Sequence, residues 1–513
     1  MVAQVNATLT RPLSFVVVAF SNELAHNILR SVCVNDPFNQ LVLVDNTANL
    51  YYDNFSQAIN AGLDRAHHEL IVVVHEDVYL PPEWQTCFEL SLKAIERRDP
   101  DWGVLGTAGW TEAGMQVGHW RDPLGYRNTF VDQEFIEVKR IDEQVMVLRR
   151  SHELRPDPYL PGIHHLGEDL PLVARGMGLR TYVVNAQSIH KYADAQGNLI
   201  LKAEDSPKIK DRTTYTYLAD RACSDDYFYR KWPDERPGGS EEKDYALTHF
   251  SPPVLVRLES PVVLLAQGGS GSRLLSLLAT DCNIFIGNEV NPSGDCLDMR
   301  MAIYQGVIEK LTCKASWQKE LTVPRLRFAA STMLQKSEHT SFWGFKLPES
   351  MLLIAEIHEA FPRARYVHLI RDPLTACLRR THMTARLDNH IGRVTLPLAY
   401  RYCGFEPAEI LNDSAALHMA YNVRHQVETV LAYCRSSLKE RYLEVRFEDV
   451  LEKPIGVLEL FSSWLDTTQV DHKVRDSVDI NRARHPRMTY PAQIVERVKQ
   501  ILAPLRKELN YLS

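Results

Sequence analysis

Short apolar runs alternate with segments of helical periodicity from Leu13 to about Val184. The runs that predict strands cover residues 14–20, 41–45, 70–75 and 103–107. Between the second and third runs, one helical face carries the apolar residues Phe55, Ile59, Leu63 and Ala66. A helix of this length can connect two parallel strands. The pattern therefore predicts an α/β domain with a mostly parallel sheet.

The same pattern starts again after a polar, broken stretch that contains Arg236-Pro237-Gly238-Gly239-Ser240. A strand predicted at 261–266 runs into a glycine-rich loop and then into an apolar helix, and further strands are predicted at 364–370 and 442–446. We therefore predict a first α/β domain over residues 1–215, a connector over 216–258 and a second α/β domain over 259–513.

Composition narrows the class of protein. The chain has 513 residues, of which 45% are hydrophobic and 24% charged, which is typical of a globular protein with two or three domains. The net charge of -7 and the lack of a long basic run argue against nucleic-acid binding. No signal peptide or transmembrane segment is recognisable, and nine cysteines without a Cys-x-x-Cys pair are typical of reduced thiols. We expect a soluble, cytoplasmic protein.

Acidic residues follow the predicted strands of the first domain. They are Asp45, the sequence His75-Glu76-Asp77, and the pair Glu168-Asp169. Ligands in open α/β sheets bind beyond the carboxyl ends of the strands, and carboxylates can hold a divalent cation that bridges two phosphates. The same residues could instead cap helices, because acidic side chains favour helix starts. The residues alone leave both interpretations open.

Residues 12–200 resemble the family-2 nucleotide-sugar glycosyltransferases with the GT-A fold. The resemblance rests on Val44-Asp45-Asn46, on His75-Glu76-Asp77 followed by Pro81, on Glu168-Asp169-Leu170 and on Ile189-His190-Lys191, which occur in the family's order. It implies that Asp45 contacts the base of a nucleotide-diphosphate sugar. It further implies that Asp77 and His190 bind Mn²⁺ or Mg²⁺, and that Asp169 deprotonates the acceptor hydroxyl.

Two positions differ from that family's pattern. His75 stands where the family usually has its first Asp, and we include it among the donor-binding residues. Pro171 replaces the second acidic residue of the Glu-Asp motif. Both differences bear on which donor is used and on whether this domain is active.

The glycine-rich loop of the second domain reads Gly268-Gly269-Ser270-Gly271-Ser272-Arg273. Glycines let backbone N–H groups converge on a phosphate, and the start of the following helix adds positive potential. The loop lacks the Gly-Lys-Ser/Thr ending of an ATP or GTP P-loop, and Leu274 stands where a dinucleotide fingerprint needs its third glycine. We therefore predict an anion site formed by Gly269, Ser270, Gly271, Ser272 and Arg273.

Three later motifs accompany this loop: Gly344-Phe345-Lys346-Leu347-Pro348, Ile370-Arg371-Asp372-Pro373 and Arg446-Phe447-Glu448-Asp449. From about Pro261 onward, the sequence resembles sulfotransferases that use 3′-phosphoadenosine 5′-phosphosulfate (PAPS). The resemblance implies that the glycine loop holds the 5′-phosphosulfate and that Lys346 lies near the transferred group. It also implies that Arg371 binds the 3′-phosphate, for which a guanidinium fork is well suited.

Two further residues of the second domain are candidates for the site. Arg379 stands eight positions after Arg371, where the family commonly has a Ser that binds the 3′-phosphate, and we expect it to bind the same anion. We name Glu289 as the candidate proton acceptor, while a surface or salt-bridge role for it stays open. Asp372 and Asp449 are predicted to orient loops and cap helices.

The sequence thus predicts a bifunctional transferase with an N-terminal GT-A (Rossmann-like) fold and a C-terminal P-loop-like sulfotransferase α/β fold. The first domain would transfer a sugar from a nucleotide-diphosphate sugar in a metal-dependent, inverting reaction, and the second would transfer a sulfuryl group from PAPS. The expected acceptor is a carbohydrate or glycolipid. One alternative is that the first domain is an inactive carbohydrate-binding or docking module. Another is a nucleotide kinase or hydrolase that uses the glycine loop.

Overall fold

The computed structural model describes residues 11–20, 22–47, 50–122, 125–190, 215–237, 245–312, 316–337, 342–379, 381–468, 470–477 and 489–511. The chain forms two compact units, Met1–Arg236 and Pro237–Ser513. The division lies inside the predicted connector. Residues 216–231 of that connector belong to a helix of the first unit, Tyr215–Lys231, and Pro252–Leu258 is a helix of the second unit.

The first unit contains thirteen strands in its described part: β1 Leu13–Ala19, β2 Gln40–Asp45, β3 Leu70–His75, β4 Val78–Tyr79, β5 Val104–Gly106, β6 Ala108–Trp110, β7 Gln116–Asp122, β8 Gly125–Asn128, β9 Phe135–Glu137, β10 Arg140–Ile141, β11 Val145–Arg149, β12 Thr181–Val184 and β13 Ser188–His190. Its helices are α1 Asn22–Leu29, α2 Phe55–Leu63, α3 Trp84–Arg98, α4 Leu166–Gly176 and α5 Tyr215–Lys231. The four predicted strands are confirmed as β1, β2, β3 and β5, within one residue at each end.

The main sheet of the first unit has the strand order β2-β1-β3-β11-β5-β12-β9. β1 runs parallel to β2 and β3, whereas β11 runs antiparallel to both β3 and β5. The prediction of a mostly parallel sheet is therefore wrong. β11 follows a series of short strands rather than a crossover helix, so it can enter the sheet in the opposite direction. A second sheet has the order β10-β6-β7-β13-β4, with β8 paired to β7.

The core of the first unit is built on the central strands of the main sheet. All seven residues of β1 are buried, because the strand has paired neighbours on both edges and packed side chains on both faces. Gly62 of α2 lies so close to β1 that a Cβ there would overlap the side chain of Val16. Because β2 and β3 both run parallel to β1, the carboxyl ends of the three strands lie at one edge of the sheet, where ligands of α/β sheets bind.

The second unit contains β14 Val262–Ala266, β15 Gly344–Lys346, β16 Arg365–Ile370 and β17 Tyr442–Arg446, in the sheet order β15-β14-β16-β17. All three pairings are parallel, and the strands predicted at 261–266, 364–370 and 442–446 are confirmed as β14, β16 and β17. The helices are α6 Pro252–Leu258, α7 Ser272–Asp281, α8 Arg300–Thr312, α9 Ser316–Gln335, α10 Ile354–Ala360, α11 Pro373–Cys377, α12 His390–Tyr402, α13 Ala415–Ser437, α14 Phe447–Glu452, α15 Pro454–Leu465, α16 Lys473–Ser477 and α17 Ala492–Glu508.

Parallel pairing brings the residues that follow each strand of the second unit to one edge of its sheet. Five buried residues of β14 form the centre, and α7 and α15 pack over one face with Leu275, Leu278 and Phe461. The cysteines in the described part of the chain are free thiols. Among the described helices, none has the length and apolar character that crossing a membrane requires.

Candidate active sites

Three potential metal ligands meet at the carboxyl end of β3 in the first unit. Nε2 of His190 lies 3.1 Å from Oδ1 of Asp77, and Nδ1 of His75 lies 4.0 Å from the same oxygen. One ligand atom from each of the three residues lies within 4.8 Å of the others. The structure thus brings Asp77 and His190 together, as the prediction of a shared metal requires, and adds His75 to the same cluster.

Strand pairing explains this cluster. β13 pairs antiparallel with β4, and His190 stands opposite Val78, the residue after Asp77. Phe55 packs edge-on against the ring of His75, with 5.5 Å between the ring centroids. Glu76 points elsewhere and accepts a hydrogen bond from the backbone N–H of Phe20 at 2.8 Å. Glu76 therefore holds the loop after β1 in place, whereas His75 and Asp77 on either side of it belong to the cluster.

Asp45 lies at the carboxyl end of β2 with an exposed side chain. Its carboxylate accepts hydrogen bonds from the backbone N–H and the hydroxyl of Thr47, at 2.9 and 2.7 Å. The buried Asn46 next to it accepts hydrogen bonds from the backbone N–H groups of Tyr51 and Tyr52. Asp45 is thus held at the sheet edge and stays accessible to a ligand.

Asp169 lies in the first turn of α4 and is 1% exposed. Its Oδ1 pairs with Nζ of Lys231 at 2.7 Å and accepts a hydrogen bond from the indole N–H of Trp232 at 2.8 Å. Its Oδ2 is buried and has no hydrogen-bond partner among the described residues. The end of α5 therefore engages one oxygen of Asp169, the predicted base, but not the other.

The start of α4 is tied to α5 by His165, whose backbone is left-handed with φ of 68°. The His165 ring stacks on Phe228 with 4.4 Å between centroids and hydrogen-bonds to Glu168 and Asp225. Burial opposes the charged ring, but these two carboxylates outweigh it and raise the pKa of His165 to about 9. A charged His165 between two carboxylates fixes the turn that carries Asp169.

The glycine loop of the second unit connects β14 to α7. Gly269 and Gly271 have φ of 93° and 99°, a region that L side chains rarely adopt, and a Cβ on Gly271 would overlap the ring of Phe447. Gln267 and Ser270 are 3% and 2% exposed, and their side-chain polar atoms have no hydrogen-bond partner among the described residues. Buried polar groups without partners mark a place where a ligand can complete the hydrogen bonding.

Lys346, the last residue of β15, is fully buried beside this loop. Its Nζ lies 2.7 Å from a carboxylate oxygen of Asp295 and donates hydrogen bonds to the carbonyl of Ser293 at 2.6 Å and to the hydroxyl of Ser272 at 3.2 Å. Arg273, the other cation predicted for this anion site, has an exposed side chain on the first turn of α7. The buried cation at the loop is therefore Lys346.

Arg371 follows β16 and is 5% exposed. Its guanidinium carbon lies 4.3 Å from the centroid of the Phe447 ring, which also packs on Gly271. Burial, together with the nearby positive charge of Arg379, lowers the pKa of Arg371 to about 10. Two mutually repelling guanidiniums at the carboxyl edge of the sheet form a region in which a bound anion would be stabilised.

The carboxylate of Asp372 has a structural role, as predicted for it. It accepts a hydrogen bond from the backbone N–H of Leu374 at the start of α11 and binds Nε of Arg506 at 2.9 Å. Its backbone N–H donates to Glu448, which also accepts a hydrogen bond from the hydroxyl of Tyr511. These contacts hold the turn that carries Arg371.

The structure brings two residues to the loop that the sequence analysis did not name. Glu349 is 1% exposed, and its Oε1 has no hydrogen-bond partner among the described residues. Nε2 of His382 lies 3.9 Å from that oxygen. Glu289, the predicted proton acceptor, has an exposed side chain instead, and its backbone N–H binds Asp298. Glu349 directly follows the motif that ends at Pro348, so its place in the sequence could have pointed to it. No local sequence pattern marked His382.

Burial, reinforced by the negative charge of Asp295, raises the pKa of Glu349 to about 8 against the opposing effect of Lys346. A carboxyl with such a pKa binds a proton more strongly than an ordinary glutamate does, so its ionised form, which grows as the pH rises through about 8, is a stronger general base. Glu349 thus combines burial with a position beside the loop, whereas the side chain of Glu289 is exposed.

Residues 261–471 match a family model described as the sulfotransferase family. This match supports sulfotransferase activity for the second unit, and enzymes of that family use PAPS. A protein described as "ATP synthase subunits region ORF 6" from Fuscovulum blasticum is 28% identical over 139 residues, which are 26% of this chain and 55% of that protein. The chain therefore spans about half the length of this curated relative.

Solved sulfotransferases are also similar to this chain. STF9 from Mycobacterium avium is 13% identical, with 60% of this chain and 88% of that chain covered and a TM-score of 0.35. STF1 from Mycobacterium tuberculosis H37Rv is 12% identical, with 56% and 83% covered and a TM-score of 0.32. The sulfotransferase domain from the curacin biosynthetic pathway is 14% identical, with 48% and 97% covered and a TM-score of 0.28.

Proposed function

We propose that the second unit transfers a sulfuryl group from PAPS to a hydroxyl group of a carbohydrate or glycolipid. The observation that carries this proposal is the convergence of the glycine loop, Lys346 and Arg371 at the carboxyl edge of one parallel sheet, within the residues that match the sulfotransferase model. The edge offers backbone N–H groups, a buried ammonium and a buried guanidinium, which is the chemistry that a doubly phosphorylated nucleotide requires.

Each end of the donor has its own binding residues in this proposal. Gly269, Gly271 and the side chains of Gln267 and Ser270 bind the 5′-phosphosulfate. The polar atoms of these two side chains have no hydrogen-bond partner among the described residues. The hydrogen bond that Lys346 donates to Ser272 holds its ammonium group at the same loop. At the other end, Arg371 and Arg379 bind the 3′-phosphate. The exposed Arg273 adds positive potential at the start of α7.

Glu349 is the proton acceptor that the contacts favour. The acceptor oxygen forms a bond to sulfur while the bond from sulfur to the nucleotide's phosphate oxygen breaks. The electron pair of the broken bond stays on the phosphate, and the hydroxyl proton passes to Glu349. Negative charge grows on oxygens beside the loop during this step, where Lys346 and the loop N–H groups can stabilise it.

Calorimetry on the full chain tests this proposal with adenosine 3′,5′-bisphosphate and with ATP. We expect the bisphosphate to bind more tightly than ATP, and we expect Gly271→Ala to abolish its binding by displacing Phe447. Gly404→Ala is the matched control, because Gly404 also has a left-handed backbone with φ of 82° but no atom within 4 Å of a Cβ. Preference for ATP would instead favour a kinase or hydrolase.

For the first unit, the proposal is metal-dependent transfer of a sugar from a nucleotide-diphosphate sugar, with a GT-A fold. The specific observation in its favour is the cluster of His75, Asp77 and His190 at the carboxyl end of β3. A divalent ion held there would neutralise the diphosphate that leaves the sugar. Asp45 at the neighbouring strand end can bind the nucleotide base, and Asp169 Oδ2 can take the acceptor proton.

The three donor atoms fit some divalent ions better than others. Mg²⁺ prefers oxygen ligands, whereas imidazole nitrogen suits first-row transition ions. Of Mn²⁺ and Mg²⁺, the two histidines beside Asp77 therefore favour Mn²⁺. The remaining coordination positions would be available to diphosphate oxygens.

Thermal-shift measurements with nucleotide sugars, with and without Mn²⁺, test the second proposal, because a ligand that binds only the folded state raises its stability. We expect a shift that requires both Mn²⁺ and the nucleotide sugar. A further assay measures metal-dependent hydrolysis of the nucleotide sugar. Carbohydrate binding without any nucleotide response would instead favour the inactive docking module. The proposal also includes that the two units act on the same acceptor molecule, the first by adding a sugar and the second by adding a sulfuryl group.

A further inference from the structure

The imidazole of His382 lies against the backbone of Gly268 in the glycine loop. A Cβ on Gly268 would overlap three atoms of the ring, Cγ, Cδ2 and Nε2. The His382 side chain is 12% exposed, and its Nε2 faces the buried carboxyl of Glu349. The ring therefore forms a wall of the proposed phosphosulfate site, with Nε2 on the side of the loop.

The opposite side of the ring is held by Thr384. The backbone N–H of Thr384 donates to Nδ1 of His382 at 3.4 Å, and the Thr384 hydroxyl lies 3.0 Å from the same nitrogen. Nδ2 of Asn422 donates to that hydroxyl oxygen at 2.7 Å, which leaves the hydroxyl hydrogen for the ring. A ring nitrogen that accepts hydrogen bonds cannot also carry a proton, so the neutral ring carries its proton on Nε2.

The amide of Asn422 is itself oriented within α13. Nε2 of Gln426 donates to Oδ1 of Asn422 at 3.1 Å, one helical turn away, and both side chains are buried at 0% and 1% exposure. With its oxygen engaged by Gln426, Asn422 can present only its amide N–H groups to Thr384. The orientation of the imidazole proton is thus set by a chain of three buried polar side chains.

Resting on the proposed sulfuryl transfer, we infer that Thr384 and Asn422 are positioning residues that keep His382 protonated at Nε2, so that the ring donates a hydrogen bond to the phosphosulfate oxygens beside Gly268. His382 then takes up no proton during transfer. The acceptor proton passes to Glu349, and the hydrogen bond from Nε2 strengthens as negative charge grows on the donor oxygens.

Nitrogen NMR on the full chain, labelled with ¹⁵N-histidine, reads the tautomer directly, because the protonated and unprotonated ring nitrogens differ widely in chemical shift. The His382 signal is identified by its loss in His382→Gln. We expect Nε2 to be protonated and Nδ1 unprotonated, with and without adenosine 3′,5′-bisphosphate. A wild-type ring protonated at Nδ1, or at both nitrogens, would overturn the inference.

The positioning role is tested with substitutions at Thr384. Thr384→Val should mix the two tautomers, whereas Thr384→Ser, which keeps the hydroxyl, should retain the wild-type signal. Thr322→Val is the matched control, because Thr322 is a buried threonine of α9 that contacts Gly306 of α8. An unchanged His382 signal in a folded Thr384→Val protein would contradict the role of Thr384.

Turnover distinguishes a hydrogen-bond donor from a base. Release of adenosine 3′,5′-bisphosphate from PAPS is measured for His382→Gln, which keeps an N–H donor, and for His382→Ala, which does not. We expect a loss of about 100- to 1000-fold for alanine and a loss below about tenfold for glutamine. Equal losses in the two variants would refute the donor role. Failure of the wild type to bind the bisphosphate would overturn the proposed function but not the tautomer assignment.

Discussion

Nε2 of His190 lies 3.1 Å from Oδ1 of Asp77, across the antiparallel pair formed by β13 and β4. This contact joins a residue at the end of the first unit's last described strand to one that follows β3. His75 belongs to the same cluster, so removal of any one of the three side chains should weaken the binding of a metal ion. We expect no effect on the second unit, because the cluster lies in the first.

We expect Asp77→Ala and His190→Ala to weaken Mn²⁺ binding by about 100-fold or more, since loss of even an outer partner of a metal ligand costs about 10- to 100-fold. Titration calorimetry with Mn²⁺ alone measures the effect. His67→Ala is the control, because His67 has an exposed side chain that packs on His68. Mn²⁺ affinity that is unchanged in both variants would refute the metal assignment.

Asp169→Asn should leave nucleotide-sugar binding near normal and lower sugar transfer by about 10²- to 10⁴-fold, which is the usual effect of losing a positioned general base. Transfer per bound donor is the quantity to measure. Lys231→Gln separates the alternatives, because it removes the ion pair to Oδ1 and keeps the carboxylate. If Asp169→Asn lowers thermal stability but not transfer, Asp169 holds α5 in place and is not the base.

Arg371→Ala should weaken adenosine 3′,5′-bisphosphate by about ten- to a hundred-fold, since a charge-assisted contact contributes about 1.5–3 kcal/mol. Binding of adenosine 5′-phosphate, which lacks the 3′ group, should change little. Calorimetry with both nucleotides makes the comparison. Arg363→Ala is the matched control, because Arg363 is exposed just before the opposite end of β16. Equal losses for the two nucleotides would mean that Arg371 supports the adenosine site or the fold.

The raised pKa of Glu349 predicts opposite pH trends for activity and stability. Sulfuryl transfer should rise with pH through about 8, as Glu349 ionises. Below the ordinary pKa of 4.5, the folded and unfolded states both carry the proton. Between 4.5 and about 8 only the folded state keeps it, so the free energy of unfolding should fall as pH rises through this range.

Glu349→Gln should remove both trends, because the amide does not ionise. Transfer rates and denaturant unfolding are measured at a series of pH values in the wild type and in this variant. The charged or titratable groups that face Glu349 are Asp295, Lys346, His382 and Tyr304. A pH profile that persists in Glu349→Gln would assign the titration to one of these neighbours.

The sequence alone was sufficient for much of the local structure. The strand predicted at 442–446 is found with the same bounds, and the one at 261–266 differs by one residue. The first of these strands alternates apolar and charged residues and the second is a short apolar run, and both patterns depend only on neighbours in the chain. The motif residues Lys346 and Arg371 were also identifiable, because the motifs that contain them resemble those of PAPS-dependent sulfotransferases.

Other features depended on which distant segments meet. The antiparallel direction of β11 follows from its route through the short strands before it, which carry no strong periodicity. The pairing of Asp169 with Lys231 arises because α5, in a stretch predicted to be a connector, packs on α4. Neither the direction of a strand nor the partner of a buried charge is encoded in local periodicity.

The candidate sites divide in the same way. Residue type and spacing were enough to name the glycine loop, and the resemblance to family-2 glycosyltransferases named Asp77 and His190 as candidate metal ligands. The tertiary structure decided that Lys346 is the buried cation at the loop, that Glu349 and not Glu289 is buried beside it, and that His382 covers Gly268. Burial and proton affinity are properties of the packed environment, so only the folded chain distinguishes one glutamate from another.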